Sequence, residues 1–219
     1  MPPDLRAEPF VKKALKASSG WAKRRAVLEV PASRAEAGKP LLLAFRVSGG
    51  GTAWLDQVFA FPSDHLDGWD PGIVRYTREA RVSLIRFPGG NFVSGYRWKD
   101  GVGPVDSRPA KPNPAWDGVE WNHVGTDEWL RFCELVGAEP LVCVNAGDGT
   151  PEEAAEWVRH CGKRVRLWEA GNEIYGRWQI GWTDAVGYAQ RYGAFARAMR
   201  GADPGIRLIA CGDTPEWNS

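Results

Sequence analysis

No apolar run in the 219-residue sequence approaches the ~20 residues of a membrane span, and its start, MPPDLRAEPF, lacks the basic-then-apolar order of a secretory leader. A soluble, cytoplasmic protein is the expectation these absences set. Net charge is also lacking: the formal balance is +1 with acids and bases interspersed, so there is no basic face for nucleic acid or an anionic membrane. A neutral partner suits that balance better. Cys133, Cys143, Cys161 and Cys211 are scattered without a C-x-x-C pair, and those in LVCVN and LIACG read as core residues, so neither a disulfide framework nor a zinc site is expected. Glu120 and Asp127 flank His123 in VEWNHVGTDE, yet no second His or Cys lies at ligand spacing, and His123 reads as a loop residue. What the sequence has in excess is tryptophan. Its 12 indoles suit the apolar faces of sugars as well as a core.

Two patterns divide the chain. From about residue 20 to 62 the segments RRAVLEV, PLLLAFRVS and GTAWLDQVFAF, separated by PASRAEAGKP and SGGG, read as antiparallel strands, like the last strands of a β-sandwich whose beginning is absent. Three such strands with open edges call for a pairing partner upstream. After Pro62, helices alternate with short apolar strands. Asp70 and Pro71 make an N-cap and N1 pair for a helix through Ala80, followed by the strand RVSLIRF. Trp129, Phe132, Cys133 and Val136 recur at helical spacing, with Gly137 placed to end that helix before EPLVCVN. Thr150 to Glu153 form a capping box for EEAAEWVRHC, and VRLWEAGNE follows. Thr183 is expected to cap a helix with Tyr188, Tyr192, Phe195 and Met199 on one face and Gly201 beyond its end, and IRLIACG closes the series.

Four α-then-β units whose strands are apolar on both faces predict an α/β fold with a parallel sheet wrapped by helices, either a barrel or a doubly wound sheet. R-F-P-G-G-N follows the first strand where a dinucleotide-binding fold would carry Gly-x-Gly-x-x-Gly. The length falls short of the roughly 250 residues of a complete eight-stranded α/β barrel. Each strand ends in polar or glycine-rich sequence: Gly89-Gly90-Asn91, Asn145 to Asp148, Gly171-Asn172-Glu173 and Gly212-Asp213. Any one of these is ordinary loop or cap chemistry, but parallel strands bring all four to one rim. Glu173 is the sharpest candidate, because desolvation beside Trp168, Tyr175 and Trp178 would keep its proton near neutrality and let it protonate a leaving glycosidic oxygen. Asn172 supplies an amide for a sugar hydroxyl next to the anomeric carbon. Asp148 reads as a turn residue, and Glu169 as an interior residue or the partner of an arginine.

IRFPGGNFVSGYRWKDGVGP, NPAWDGVEWNHVGTDEW, GAEPLVCVNAGDGTPEEAAEWV and WEAGNEIYGRWQIGW, in this order, resemble the α-L-arabinofuranosidases of glycoside hydrolase family 51, from about residue 54 to the end. The resemblance implies an incomplete (β/α)8 TIM-type barrel over residues 63–219, preceded over 1–62 by a partial β-sandwich segment. It implies that Glu173 is the acid/base of a retaining glycosidase, that Asn172 contacts the sugar, and that Arg86 and Asn91 line the arabinose subsite with Trp116 near it. The substrate would be an arabinose-containing oligosaccharide, with no metal, no organic cofactor, no nucleic acid and no membrane. The resemblance also allows a homo-oligomeric full-length enzyme.

The departures from the family pattern carry equal weight. The first barrel strand with its sugar-binding glutamate is missing, as are the sixth to eighth strands, and the nucleophile belongs at the end of the seventh. The connection from His160 to Val165 is shorter than the family's. P-E-W-N at Pro215 to Asn218 is similar to the D-E-W-N of the nucleophile strand, but it follows the fifth strand directly, so Glu216 is not expected to be the nucleophile. The chain is therefore expected to be an inactive fragment of such an enzyme. The alternatives are another retaining glycosidase of the same clan and a non-catalytic carbohydrate-binding protein.

Overall fold

The computed structural model describes residues 8–33, 41–113 and 115–218. The chain forms two units, Met1–Val58 and Phe59–Ser219. The expected strands RRAVLEV, PLLLAFRVS and GTAWLDQVFAF do not form: no strand occurs among the described residues of 8–62. The apolar side chains a sandwich would cover are exposed instead, Val27 at 76% and Leu42 at 55%. A strand is held by its neighbours' backbone groups and by the face it buries, and three strand-length segments without an opposing sheet have neither. The N-terminus (1–7), and residues 34–40 of the expected turn, lie outside the described residues. The boundary falls after Val58 rather than after Pro62, because Phe59 packs edge-on against His123 (4.7 Å) and Phe61 against His65 (5.3 Å), both in the second unit.

The second unit follows the predicted alternation closely. Helix α1 spans Pro71–Glu79: proline presets the first helical φ, and the Asp70 carboxylate accepts from the Ile73 N–H at 3.0 Å. Strand β1 is Leu84–Phe87. A short antiparallel ladder joins β2 (Lys111–Pro112) to β3 (Val119–Glu120). Helix α2, Thr126–Val136, ends at Gly137, whose φ of 76° is the left-handed conformation that releases the chain into β4, Glu139–Val144. Helix α3, Pro151–Cys161, is capped by the Thr150 hydroxyl and leads to β5, Leu167–Ala170. Helix α4 is Ala185–Ala202, β6 Arg207–Ala210 and α5 Pro215–Asn218.

Two boundaries of α4 differ from expectation. Asp184, not Thr183, is the cap, because its carboxylate accepts from the Gly187 N–H at 2.8 Å while the Thr183 N–H is tied to the Ile174 carbonyl. Gly201 lies inside the helix, whose last turn is closed by Asp203, with its N–H on the Met199 carbonyl.

The sheet is fully parallel in the order β1-β4-β5-β6. Side chains alternate across it. Ile85, Phe87, Val142, Val144, Trp168, Ala170 and Leu208 join the core beneath α2, α3 and α4, with Trp157 and Met199 at its centre. Burying a Val or Met of this core contributes about 1.5–3 kcal/mol. The other face carries Arg86, Leu141, Cys143, Leu167, Glu169 and Ile209. The strands are thus not apolar on both faces as expected. Charge sits on the interior face, where it positions the site.

Candidate active site

The loops after β1 and β5 bring the predicted residues together. The peptide Phe87-Pro88 is cis, and a 3-10 helix over Gly90–Gly95 lays Asn91 across the strand ends. Arg86, on the interior face of β1, donates through Nη2 to Asn172 Oδ1 at 3.0 Å. Asn172 Nδ2 faces Asn91 Oδ1 at 3.5 Å. Asn172 therefore joins Arg86 and Asn91, 86 and 81 residues away in sequence, in one hydrogen-bonded chain, and Glu173 is the next residue along from Asn172.

Arg86 is held from below by an ion pair with Glu169 and by the Cys143 sulfur at 3.4 Å. Burial works against the Arg86 charge, but the charge and hydrogen bond of Glu169 outweigh it and hold its pKa above the ordinary value. Burial pushes the Cys143 thiol well up, so the neutral thiol meets the guanidinium and Glu169 carries the countercharge. Glu169 takes both of its expected roles, on the interior face and as the partner of an arginine.

Glu173 is half-buried and has a φ of 45°, a left-handed conformation that costs a non-glycine residue roughly 1–3 kcal/mol and clusters at functional sites. The turn is fixed by its own carbonyl accepting from the Gly176 N–H at 2.7 Å. Tyr175 donates its hydroxyl to Glu173 Oε1 at 3.4 Å, and burial, then the Glu173 carboxylate, raise the Tyr175 pKa. The expected aromatic enclosure is only partly present. Trp168 points to the helix-side core against Trp157, because strand alternation sends it to the face opposite Glu169. Trp178 is 64% exposed and meets Tyr175 edge-on.

Trp116 is placed by a local turn in which Asn113 Oδ1 accepts from the N–H groups of Ala115 and Trp116. Its ring lies over Gly90, where an added Cβ would stand 3.4 Å from it, and it is 63% exposed. An exposed indole over the loop that carries Asn91 suits a sugar, which presents both apolar faces and hydroxyls.

The remaining candidates are structural. Asp148 accepts from Asn145 Nδ2 at 2.8 Å and pairs with Arg97, as befits a turn residue. The Glu120 carboxylate accepts from the Asn122 N–H. Among the described residues no group of three His, Cys, Asp or Glu could hold a metal ion. Glu216 stands exposed in the short α5 directly after β6, not at a strand end. Sequence reasoning missed Gln179 and Ser94. Gln179 is 4% exposed, donates to Asn91 Oδ1 at 2.5 Å and accepts from the Ser94 hydroxyl at 2.8 Å. A lone glutamine between Trp178 and Ile180 carries no signal of such burial.

Residues 77–161 match the family model for the α-L-arabinofuranosidase 1 domain. The chain is 41% identical over 170 residues to α-L-arabinofuranosidase C of Emericella nidulans, covering 69% of this chain and 34% of that protein. It is 34% identical over 179 residues to an intracellular exo-α-(1→5)-L-arabinofuranosidase of Acetivibrio thermocellus, covering 70% and 36%. Among solved structures it resembles the α-L-arabinofuranosidase of Thermotoga maritima in its arabinose complex, with a TM-score of 0.66 and 38% identity over 69% of this chain and 36% of that one. The thermostable family 51 enzyme of Thermotoga petrophila RKU-1 gives a TM-score of 0.68 at 37% identity, covering 72% and 37%. The chain spans about a third of the length of these relatives.

Proposed function

We propose, for a chain that belongs to the α-L-arabinofuranosidases of glycoside hydrolase family 51, that it carries the acid/base half of a retaining active site releasing terminal α-L-arabinofuranosyl residues from hemicellulose-derived oligosaccharides. The observation that carries this reading is the chain of hydrogen bonds from Arg86 through Asn172 to Asn91, with Glu173 beside it on a constrained turn. Glu173 first protonates the leaving oxygen and then deprotonates the water that resolves the glycosyl-enzyme. Asn172, Asn91 and Arg86 hold the sugar hydroxyls and Trp116 covers an apolar face.

The retaining reaction needs a second carboxylate about 5–5.5 Å from the first. We assign that role neither to Glu169, which neutralises Arg86, nor to Glu216. On this reading the 219-residue chain alone does not turn over, and the activity belongs to a polypeptide that supplies the nucleophile. We place that activity in the cytoplasm, by analogy with the relative named intracellular; no helix among the described residues is long and apolar enough to cross a membrane.

The test is hydrolysis of an aryl α-L-arabinofuranoside, comparing this chain with the polypeptide as its source organism makes it. Turnover by the natural polypeptide that Glu173→Ala lowers, far more for an arabinose-containing oligosaccharide than for the aryl glycoside, supports the reading. Sugar binding that survives Glu173→Ala, with no turnover before or after it, would favour a carbohydrate-binding protein. Activity in the short chain that disappears on Glu216→Ala would overturn the division of roles.

A further inference from the structure

We propose that Gln179 is a positioning residue, which turns the Asn91 carboxamide so that Asn91 offers the sugar an N–H donor and not a carbonyl. The order of the amides follows from chemistry. Arg86 has only donors, so the Asn172 atom 3.0 Å from its Nη2 must be the carbonyl oxygen. The other end of that carboxamide, Nδ2, then faces Asn91 and requires an acceptor there. The same Asn91 oxygen lies 2.5 Å from Gln179, which must present Nε2 to it. Gln179 Oε1 is left for the Ser94 hydroxyl, which donates at 2.8 Å. The guanidinium thus sets the direction of every amide in the row. Asn91 Oδ1 takes two donors, and its Nδ2 is the group left to face the open side of the sheet.

Gln179 is built to enforce this. It is 4% exposed, and the loop that carries it is locked by close backbone approaches. A Cβ at Gly181, whose φ is 71°, would meet the Gly147 carbonyl oxygen at 2.1 Å, and one at Gly147 would meet the Ser94 and Ile180 carbonyls at 2.4 and 2.6 Å. Arg191 donates to the Ala146 carbonyl at 2.8 Å and to the Gly181 carbonyl, joining the loops after β4 and β5. A buried amide between two rigid loops cannot rotate without orphaning its own polar atoms. The sugar contact rests on the arabinofuranosidase reading; the amide order does not.

Gln179→Glu keeps the shape and removes the donor. Side-chain amide NMR of Asn91, assigned by its loss in Asn91→Asp, reads the order directly in this chain. Above the pKa of the introduced carboxyl, one Asn91 amide proton is expected to move downfield and gain exchange protection, as the carboxamide swings its N–H toward the carboxylate. Acidification returns it to the wild-type position. In the polypeptide as made by its source, kcat/KM on an aryl α-L-arabinofuranoside falls about 10- to 100-fold, mostly in kcat, and recovers toward wild type at low pH. A purely packing role would leave both pH profiles unchanged. Should Gln179→Glu fail to fold, Gln179→Met serves: it removes the donor without charge, and the Asn91 amide protons should shift and broaden as the carboxamide is freed to turn, while the rate falls at every pH. An Asn91 amide that does not move in either variant, or wild-type rates in an otherwise active enzyme, overturns the proposal. A wild type without arabinofuranosidase activity sinks the functional reading, and the amide resonances still decide the role of Gln179.

Discussion

Removing the countercharge beneath the site should cost more than any exposed ion pair of the chain. Arg86 and Glu169 face each other on the interior side of β1 and β5, with side-chain exposures of only 27% and 16%. Taking one member of a buried pair leaves the other desolvated and unpaired, at a cost of about 3–5 kcal/mol. Arg86 keeps its bond to Asn172 and a quarter of its water, so Glu169→Ala is expected to cost about 2–4 kcal/mol. For a unit of this size that is a fall in Tm of about 5–15 °C. Urea denaturation gives the loss for Glu169→Ala, and the set Glu169→Leu, Arg86→Met and Arg86→Met/Glu169→Leu closes a double-mutant cycle. The double variant should recover most of the loss, because apolar groups of similar volume leave no orphaned charge. A single-variant loss below about 0.5 kcal/mol, the range of exposed pairs, would refute the claim that this pair carries the interior face.

Glu173→Gln in the natural polypeptide should lower kcat/KM by about 10²–10⁴ for substrates with a sugar leaving group, and by much less for a nitrophenyl leaving group that departs without a proton; an equal loss on both would argue against general acid catalysis. Burial works against the Asp127 charge, but the Arg164 hydrogen bond and His160 overcome it and hold its pKa below the usual range. Its folded pKa being depressed, the stabilisation is present above the unfolded value of about 3.9 and is lost as pH falls through the folded value. Acid titration of Asp127→Asn by circular dichroism should therefore show a shallower loss of stability below pH 4 than wild type, and parallel curves would sink the assignment. Tyr188 ties β5 to β6 by donating to the Ala170 carbonyl at 2.8 Å and accepting from the Cys211 N–H at 2.7 Å. Tyr188→Phe leaves a buried N–H unpaired and should cost about 1–3 kcal/mol in chemical denaturation, with a near-neutral result counting against that bridge.

The sequence by itself determined what depends on neighbours a few residues away. Asp70 and Thr150 cap their helices, Gly137 ends α2, and the apolar runs become β1, β4, β5 and β6, because caps and periodicity act within a turn or a strand. It also placed Arg86, Asn172 and Asn91 at one rim, since parallel strands bring their carboxyl ends together whatever lies between them; the hydrogen bonds that join them are set by the tertiary structure. The tertiary structure alone decided which side of the sheet each side chain faces. It sent Trp168 away from Glu173 into the helix layer, put Glu169 under Arg86 and buried Gln179 against Asn91. It also withheld strands from the described residues of 8–62, since β-structure is made by partners that a local pattern cannot supply. Facing, pairing and burial are set by what arrives from distant parts of the chain, and Arg86 meets Glu169 across 83 residues for that reason.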